Sequence, residues 1–290
     1  ISMAIDNFIP QIWANRILEN LNAAHVFADR LNRDYEGDIK AAGDSVRINS
    51  IGRVTISDYV KNGAITAPET LQGSDMVLEI TQAKYFNFEI DDIDKWQQKP
   101  KLMDAATRET AWSMADAVDT YLASILQAGS TNNVTGAAGA VLTIGTAALE
   151  TNAYVALVNA GVALTEQNVP TRGRWAVIPP WMEGMLLKDD RFVSYGTVAN
   201  RDDLKNGNIG RAAGFDIFVS NNLSSLAGAG VNYYIQTGVN ESATYAEQID
   251  DTEAFRPEGS FSDALKGLHL YGAKVTRPYG LCYIYGTEGT

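Results

Sequence analysis

Cys282 is the whole thiol content of this 290-residue chain, so no internal disulfide framework exists. It sits in the apolar run GLCYIYG, where a small buried hydrophobe is the expected role. Histidine is almost as scarce. His25 and His269 are the only two, far apart in sequence and each without a partner at metal-ligand spacing, which leaves no zinc motif. Basic residues are outnumbered: 23 Lys and Arg face 35 Asp and Glu, a net charge of −12. Neutralising phosphate takes clustered Lys and Arg, so a nucleic-acid-binding groove is not expected. No apolar run reaches the ~18 residues that suggest a membrane span. The opening ISMAIDNFIPQIW has no basic stretch followed by an apolar one, so no secretory signal is expected and the cytoplasm is the expected site of folding. The origin of Ile1 and Ser2, ahead of Met3, is not legible.

Chemical motifs are missing too. There is no G-x-S-x-G elbow and no G-x-x-x-x-G-K-[ST] phosphate loop. Gly207, Gly210 and Gly214 are spaced three and four apart, which is not G-x-G-x-x-G. They also precede a strand, where a dinucleotide loop follows one. The stretch reads instead as a turn with close backbone approach, leading into a strand at Phe215, Ile217 and Val219. These absences argue against catalysis and against any cofactor.

What is present is a normal core composition: 46% hydrophobic and 20% charged residues, enough to fold as one large or two smaller domains. The first segment, to about residue 37, carries Ile12, Trp13, Ile17, Leu21, Val26, Phe27 and Leu31 at helical spacing. Next, Val46, Ile48, Val54 and Ile56 alternate with polar residues, with Gly52 interrupting. Met76, Leu78, Ile80, Phe86, Phe88 and Ile90 alternate again after the turn-rich KNGAITAPETLQGSD. This predicts one long antiparallel hairpin from Val46 to Ile90 with a broad tip. A two-stranded ribbon is marginal alone in water, so such an arm is expected to lie on something else. From Pro100 to Gly129 one apolar stripe, Ala111, Met114, Ala115, Val118, Tyr121, Leu122 and Ile125, predicts a helix of roughly 40 Å. Asp104, Glu109, Asp116 and Asp119 are expected on its solvated faces. A second helix is expected over LETNAYVALVNAGVALTEQNV, a buried strand over RWAVI, and two strands near the end. Without regular βαβ alternation the class is α+β.

Two acidic clusters, Asp91, Asp92 and Asp94, and Asp250, Asp251 and Glu253, do not match an EF-hand loop. No metal is expected there; surface or subunit salt bridges are.

The ordered set RDYEGDIKAAGDSVRINSIGRVTISDY, QAKYFNFEIDDID, GRWAVIPPWMEGMLLKDDRF, GFDIFVSNNL and LYGAKVTRPYG resembles the major capsid proteins of tailed bacteriophages. The resemblance covers nearly the whole chain. It implies the Hong Kong 97-like capsid fold, α+β: an N-terminal arm (1–45), an extended hairpin or E-loop (46–90), a P-domain with spine helix (91–168), an axial A-domain (169–253) and closing strands of the P-domain (254–290). The implied function is a coat protein that self-assembles through pentamers and hexamers into an icosahedral shell around double-stranded DNA, without sequence-specific contact. It further implies a separate scaffolding protein, a portal, a possible decoration protein, a place in the virion, and assembly in the host bacterial cytoplasm. Candidate subunit-contact residues are Trp13 on the arm; Arg47, Arg53, Lys61, Asn62 and Glu69 on the hairpin; the acids Asp91, Asp92 and Asp94; and Gly207 and Gly210 in the axial domain. Some relatives make a Lys–Asn isopeptide bond; Lys61, near the hairpin tip, is where the resemblance would put its lysine, while the sequence shows no partner Asn or activating acid converging on it.

Two alternatives remain open at this point. An encapsulin-type compartment shares the fold and holds protein cargo. A soluble α+β hydrolase or sugar-binding domain would show a concave site with convergent polar groups.

Overall fold

The structure, a computed structural model, describes residues 25–35, 45–51, 56, 58, 61, 73–91, 102–145, 151–189, 210–227, 231–255, 259 and 262–289. The arm helix expected around Trp13 lies outside the described residues.

The expected 40 Å helix is α1, Leu102–Gly129. Its stripe is buried as the spacing requires: Ala111, Met114, Ala115, Val118 and Leu122 face inward, joined by Ala123 and Leu126. α1 runs between two sheets. One is eight-stranded, in the order β4 (Asn132–Val134), β13 (Leu281–Glu288), β10 (Val231–Val239), β6 (Arg174–Ile178), β8 (Phe215–Val219), β7 (Arg211–Ala212). Two short strands complete it: β5 (Leu142–Ile144) pairs with β13, and β9 (Ser225–Ala227) pairs with β10.

Central strand β6 is buried at every position, because helices cover both faces of its sheet. Trp175 and Val177 point toward α1 and share a cluster with Val118, Leu122 and Leu126. Ala176 and Ile178 point the other way. There they meet α2 (Ala153–Glu166) and α3 (Pro180–Lys188) through Leu157, Leu164, Met182 and Leu186. The caps are local chemistry. Asn152 accepts a hydrogen bond from Tyr154 N at 2.8 Å to open α2, and Pro180 stands in the first turn of α3, where its missing N–H costs nothing.

The other sheet is three-stranded, β11–β12–β3: β11 (Ala243–Phe255), β12 (Ser262–Val275) and β3 (Gln82–Asp91), all antiparallel. α1 packs Ala111, Met114 and Ala115 on Leu265 of β12, with Phe86 and Phe88 of β3 alongside.

This sheet corrects the hairpin. β1 (Ser45–Ile51) and β2 (Gly73–Glu79) do pair antiparallel, from Ser45 opposite Glu79 to Ile51 opposite Gly73. The return strand then ends. β3 pairs with β12, Gln82 opposite Tyr271 through Asp91 opposite Ser262. The alternation through Met76, Leu78, Phe86 and Phe88 is real, but period-two patterning reports a buried face, not a partner. The crossing point is Gly272. A Cβ there would stand 2.3 Å from the carbonyl oxygen of Glu79, so only glycine lets β2 cross β12. The hairpin base is held by Ile48, Leu78 and Ile80 against Ala246 and Leu270. Gly272→Val is expected to cost about 2–3 kcal/mol by overpacking, read as a lower urea midpoint at unchanged slope; a shift under about 0.5 kcal/mol would refute the crossing.

The sheets do not follow contiguous blocks of sequence. β4, β5 and β13, assigned by sequence position to the P-domain, join the sheet of β6 to β10. Leu164 and Val169, on opposite sides of the 168/169 division, share one cluster. The 253/254 division falls inside β11. Contiguous sequence blocks miss strands that return from the far end of the chain.

The glycine-rich turn is now explicit. β7 and β8 pair Ala212 with Phe215, leaving Ala213 and Gly214 as the turn, at φ of 51° and 85°. Two positive φ values mark the hairpin turn whose twist matches the strands. Gly210 also has positive φ, 58°, and none of the described residues comes within 4 Å of a Cβ there, so the dihedral alone is reason for a glycine. Gly207 lies outside the described residues.

Candidate functional site: exposed contact surfaces over a buried ionic node

The two histidines, unrelated in sequence, meet at one carboxylate. His25 opens the described chain, in a segment that continues through a turn at Ala28–Arg30. Its Nε2 lies 3.5 Å from Glu247 Oε2, and its Nδ1 lies 3.7 Å from Asp119 Oδ1. His269 Nε2 lies 3.2 Å from the same Glu247 oxygen. Tyr245 donates its hydroxyl to Glu247 Oε2 at 2.6 Å, and Arg33 donates to Oε1. The side chains of His25, Asp119, Glu247 and His269 are all at most 5% exposed.

The partners come from three elements: Asp119 from α1, Tyr245 and Glu247 from β11, His269 from β12. Asp119 also accepts Val26 N at 2.9 Å and Phe27 N at 3.2 Å. The segment is further stitched to the edge of β11, since Asn32 N donates to Ala243 O and Tyr245 N donates to Asn32 O. Phe27, Ala28 and Leu31 bury their side chains beneath. Asp119 is thus no solvated surface acid. The correction was legible: it stands four after Ala115 and three before Leu122, on the buried stripe itself.

Burial alone would strip His25 of its charge, but the carboxylates of Asp119 and Glu247 outweigh it and push the imidazole up to about 9. Burial would likewise neutralise Glu247. The imidazoles of His25 and His269 and the Tyr245 hydroxyl prevail, holding it well below the usual carboxylate range. The signs follow. His25, raised, stabilises the fold fully below about 6.5 and loses that contribution as pH rises through about 9. Glu247, depressed, stabilises it above about 4.5 and loses that only in strong acid.

Arg33 and Tyr245 donate to the two Glu247 oxygens. Among the described residues no group of His, Cys, Asp and Glu is arranged to hold a metal ion. Cys282 is buried, and burial pushes its thiol up to about 12, which makes it a poor nucleophile. Among the described residues no helix is long and apolar enough to cross a membrane.

The expected contact residues divide. Arg47 is exposed on β1, opposite Val77, and Lys61 is exposed between the strands. Asp91 ends β3, in the other sheet, so Arg47 and Asp91 do not share a ribbon. Trp13, Arg53, Asn62, Glu69, Asp92 and Asp94 lie outside the described residues. In the second acidic cluster, Glu253 pairs with Lys266 at 2.7 Å, directly across β11 and β12. Both are half exposed, so the bond is a minor one. Sequence reasoning missed a surface. Beside β3 and α1 runs a groove of about 840 Å³ lined by Phe86, Phe88, Glu109, Met114 and Lys84. Tyr85 on β3 is 81% exposed and Trp112 on α1 is 61% exposed.

A family model described as phage capsid protein matches residues 75–284. The chain belongs to that family. Among solved structures it is similar to one from Mycobacterium phage Che8, with 31% identity and a TM-score of 0.70 over 90% of each chain. The capsid structure of cyanophage P-SCSP1u is similar in fold, with 17% identity and a TM-score of 0.69 over 92% of this chain and 89% of that one. A virus-like particle from Pyrococcus furiosus also shares the fold, with 12% identity and a TM-score of 0.50 over 93% of this chain and 96% of that one. Among curated proteins none matches the sequence significantly. The capsid protein is thus a major coat protein of a tailed phage with the Hong Kong 97-like fold, as the sequence resemblance implied.

The node is what holds this capsid protein's first described segment to its body. Asp119→Ala is expected to be among the most damaging substitutions in it, for reasons taken up below.

Proposed function

We propose that the chain builds a closed icosahedral shell around double-stranded DNA by repeated contacts with copies of itself, in pentamers and hexamers. The observation that carries this reading is the β1–β2 ribbon. Its base packs on the subunit through Ile48, Leu78 and Ile80, and a lone two-stranded ribbon is marginal in water. Its remaining partner surface is best supplied by another copy.

In this reading the arm (1–45) and the ribbon reach neighbouring subunits. α1 with the β11–β12–β3 sheet forms the peripheral body, and the eight-stranded sheet with α2 and α3 lies toward the axis. Trp13, Arg47, Arg53, Lys61, Asn62, Glu69, Asp91, Asp92, Asp94, Gly207 and Gly210 belong to subunit contacts. A separate scaffolding protein, a portal and a decoration protein would complete the particle in the host cytoplasm. The net charge of −12 suits DNA that is enclosed and not gripped. The chain's task is structural, not enzymatic.

Electron microscopy of the purified recombinant chain, alone and with a candidate scaffold, tests this. Uniform closed shells are expected. Monomers or small oligomers under both conditions would overturn the reading. Shells that carry a protein cargo and no DNA would favour a compartment of the encapsulin type.

A further inference from the structure

The buried node links three parts of the fold that are otherwise independent in sequence, and it does so with titratable groups. We propose that it is a pH-operated clasp, which holds residues 25–35 on α1 and β11 while His25 carries its proton and loosens when that proton leaves.

The groups facing His25 come from every side. On its own segment stands Arg33, paired with Glu247 and 3.7 Å from Asp29. α1 contributes Asp119, with Tyr121 packed on Tyr271 nearby. β11 contributes Glu247 and Tyr245, whose ring lies 6.3 Å from the imidazole. β12 contributes His269 and Tyr271, with their rings 5.1 Å apart. With His25 protonated, it and Arg33 balance Asp119 and Glu247. Without the proton, two buried carboxylates are left with Arg33, itself a quarter exposed, as their only named cation, and an uncompensated buried charge is costly.

The same two carboxylates do the mechanical work. Asp119 holds the backbone of Val26 and Phe27, and Glu247 holds Arg33. A node in charge imbalance therefore strains the contacts that fasten the segment. The switch runs one way. Glu247 keeps its charge far into acid, so mild acid leaves the clasp shut and only alkali opens it.

Hydrogen–deuterium exchange read by mass spectrometry on the full chain tests the clasp at pH 5, 7 and 9.5, corrected for base catalysis. Peptides over residues 25–35 report on it, and peptides over β6 and β10 serve as the internal standard. Protection of 25–35 relative to the standard is expected to be highest at pH 5, to stay within about five-fold of that at pH 7, and to fall a further ten-fold or more at pH 9.5. The coupling of a proton bound at about 9 instead of 6.5 sets a ceiling of about 300-fold. His25→Gln, which stays neutral, is expected to show low protection at every pH and no step. His269→Gln is expected to keep the step. Should His25→Gln fail to fold, Arg33→Gln takes its place: removing a cation makes the site more negative, so the step moves to higher pH. Relative protection that stays flat in the natural chain, a step that survives in His25→Gln, or a step unmoved in Arg33→Gln would each overturn the proposal.

Discussion

Deleting residues 52–72 and joining Ile51 to Gly73 with a two-residue turn is expected to abolish shell formation while leaving the subunit folded. This is the largest effect expected from any short change, and it follows from where the ribbon's stabilisation comes from. Inside the subunit the ribbon is anchored at its foot, by Ile48, Leu78 and Ile80 on Ala246 and Leu270. None of those residues is touched by the deletion, and the register from Ser45 opposite Glu79 is kept. The melting temperature should therefore move by no more than a few degrees, the shift that about 1 kcal/mol produces in a chain of this size. Assembly multiplies one weak contact by every copy in the shell, so losing it removes closure altogether. Calorimetry and electron microscopy on one preparation separate the two effects. Shells of normal size from the deleted chain would refute the ribbon's role in assembly, and an unfolded chain would refute its anchoring at the foot alone.

Asp119→Ala is expected to lose about 3–5 kcal/mol of stability, the usual cost of breaking a buried charge pair from one side. Three losses coincide. Val26 N and Phe27 N lose their acceptor, His25 keeps one carboxylate instead of two, and a polar cavity opens beneath Phe27. Asp119→Asn is the informative companion. It keeps an acceptor for one backbone N–H and removes only the charge, so it should recover part of the loss. Urea unfolding at pH 7 measures both. If the alanine variant loses less than about 1 kcal/mol, the carboxylate is not holding the segment.

Much of the frame could be read from residues alone. The α1 stripe fixed a helix because its burial repeats at steps of three and four, which few other structures satisfy. β6 was legible as a fully buried strand because Trp175, Ala176, Val177 and Ile178 leave no polar face. β8 was legible through Phe215, Ile217 and Val219. What failed was pairing and convergence. Nothing in QAKYFNFEID says that its partner lies about 180 residues later in β12 instead of in the preceding strand. Nothing in the neighbourhoods of His25 and His269 announces Glu247, since contacts over such separations are set by topology and not by local pattern. Asp119 is the instructive middle case. Its position on the stripe was visible, but reading it by residue type instead of by helical phase placed it in water.

The sharing of α1 has one more consequence. The ribbon foot rests on Leu270 of β12, β12 rests on α1 through Leu265, and α1 rests on β6 and β13 through Trp175 and Leu281. A pull applied at the ribbon therefore meets no soft joint before it reaches the eight-stranded sheet. The helix works as a stiff strut within the subunit, so load arriving at the ribbon foot crosses to the far sheet without being absorbed by bending. A glycine pair placed mid-helix would turn that strut into a hinge.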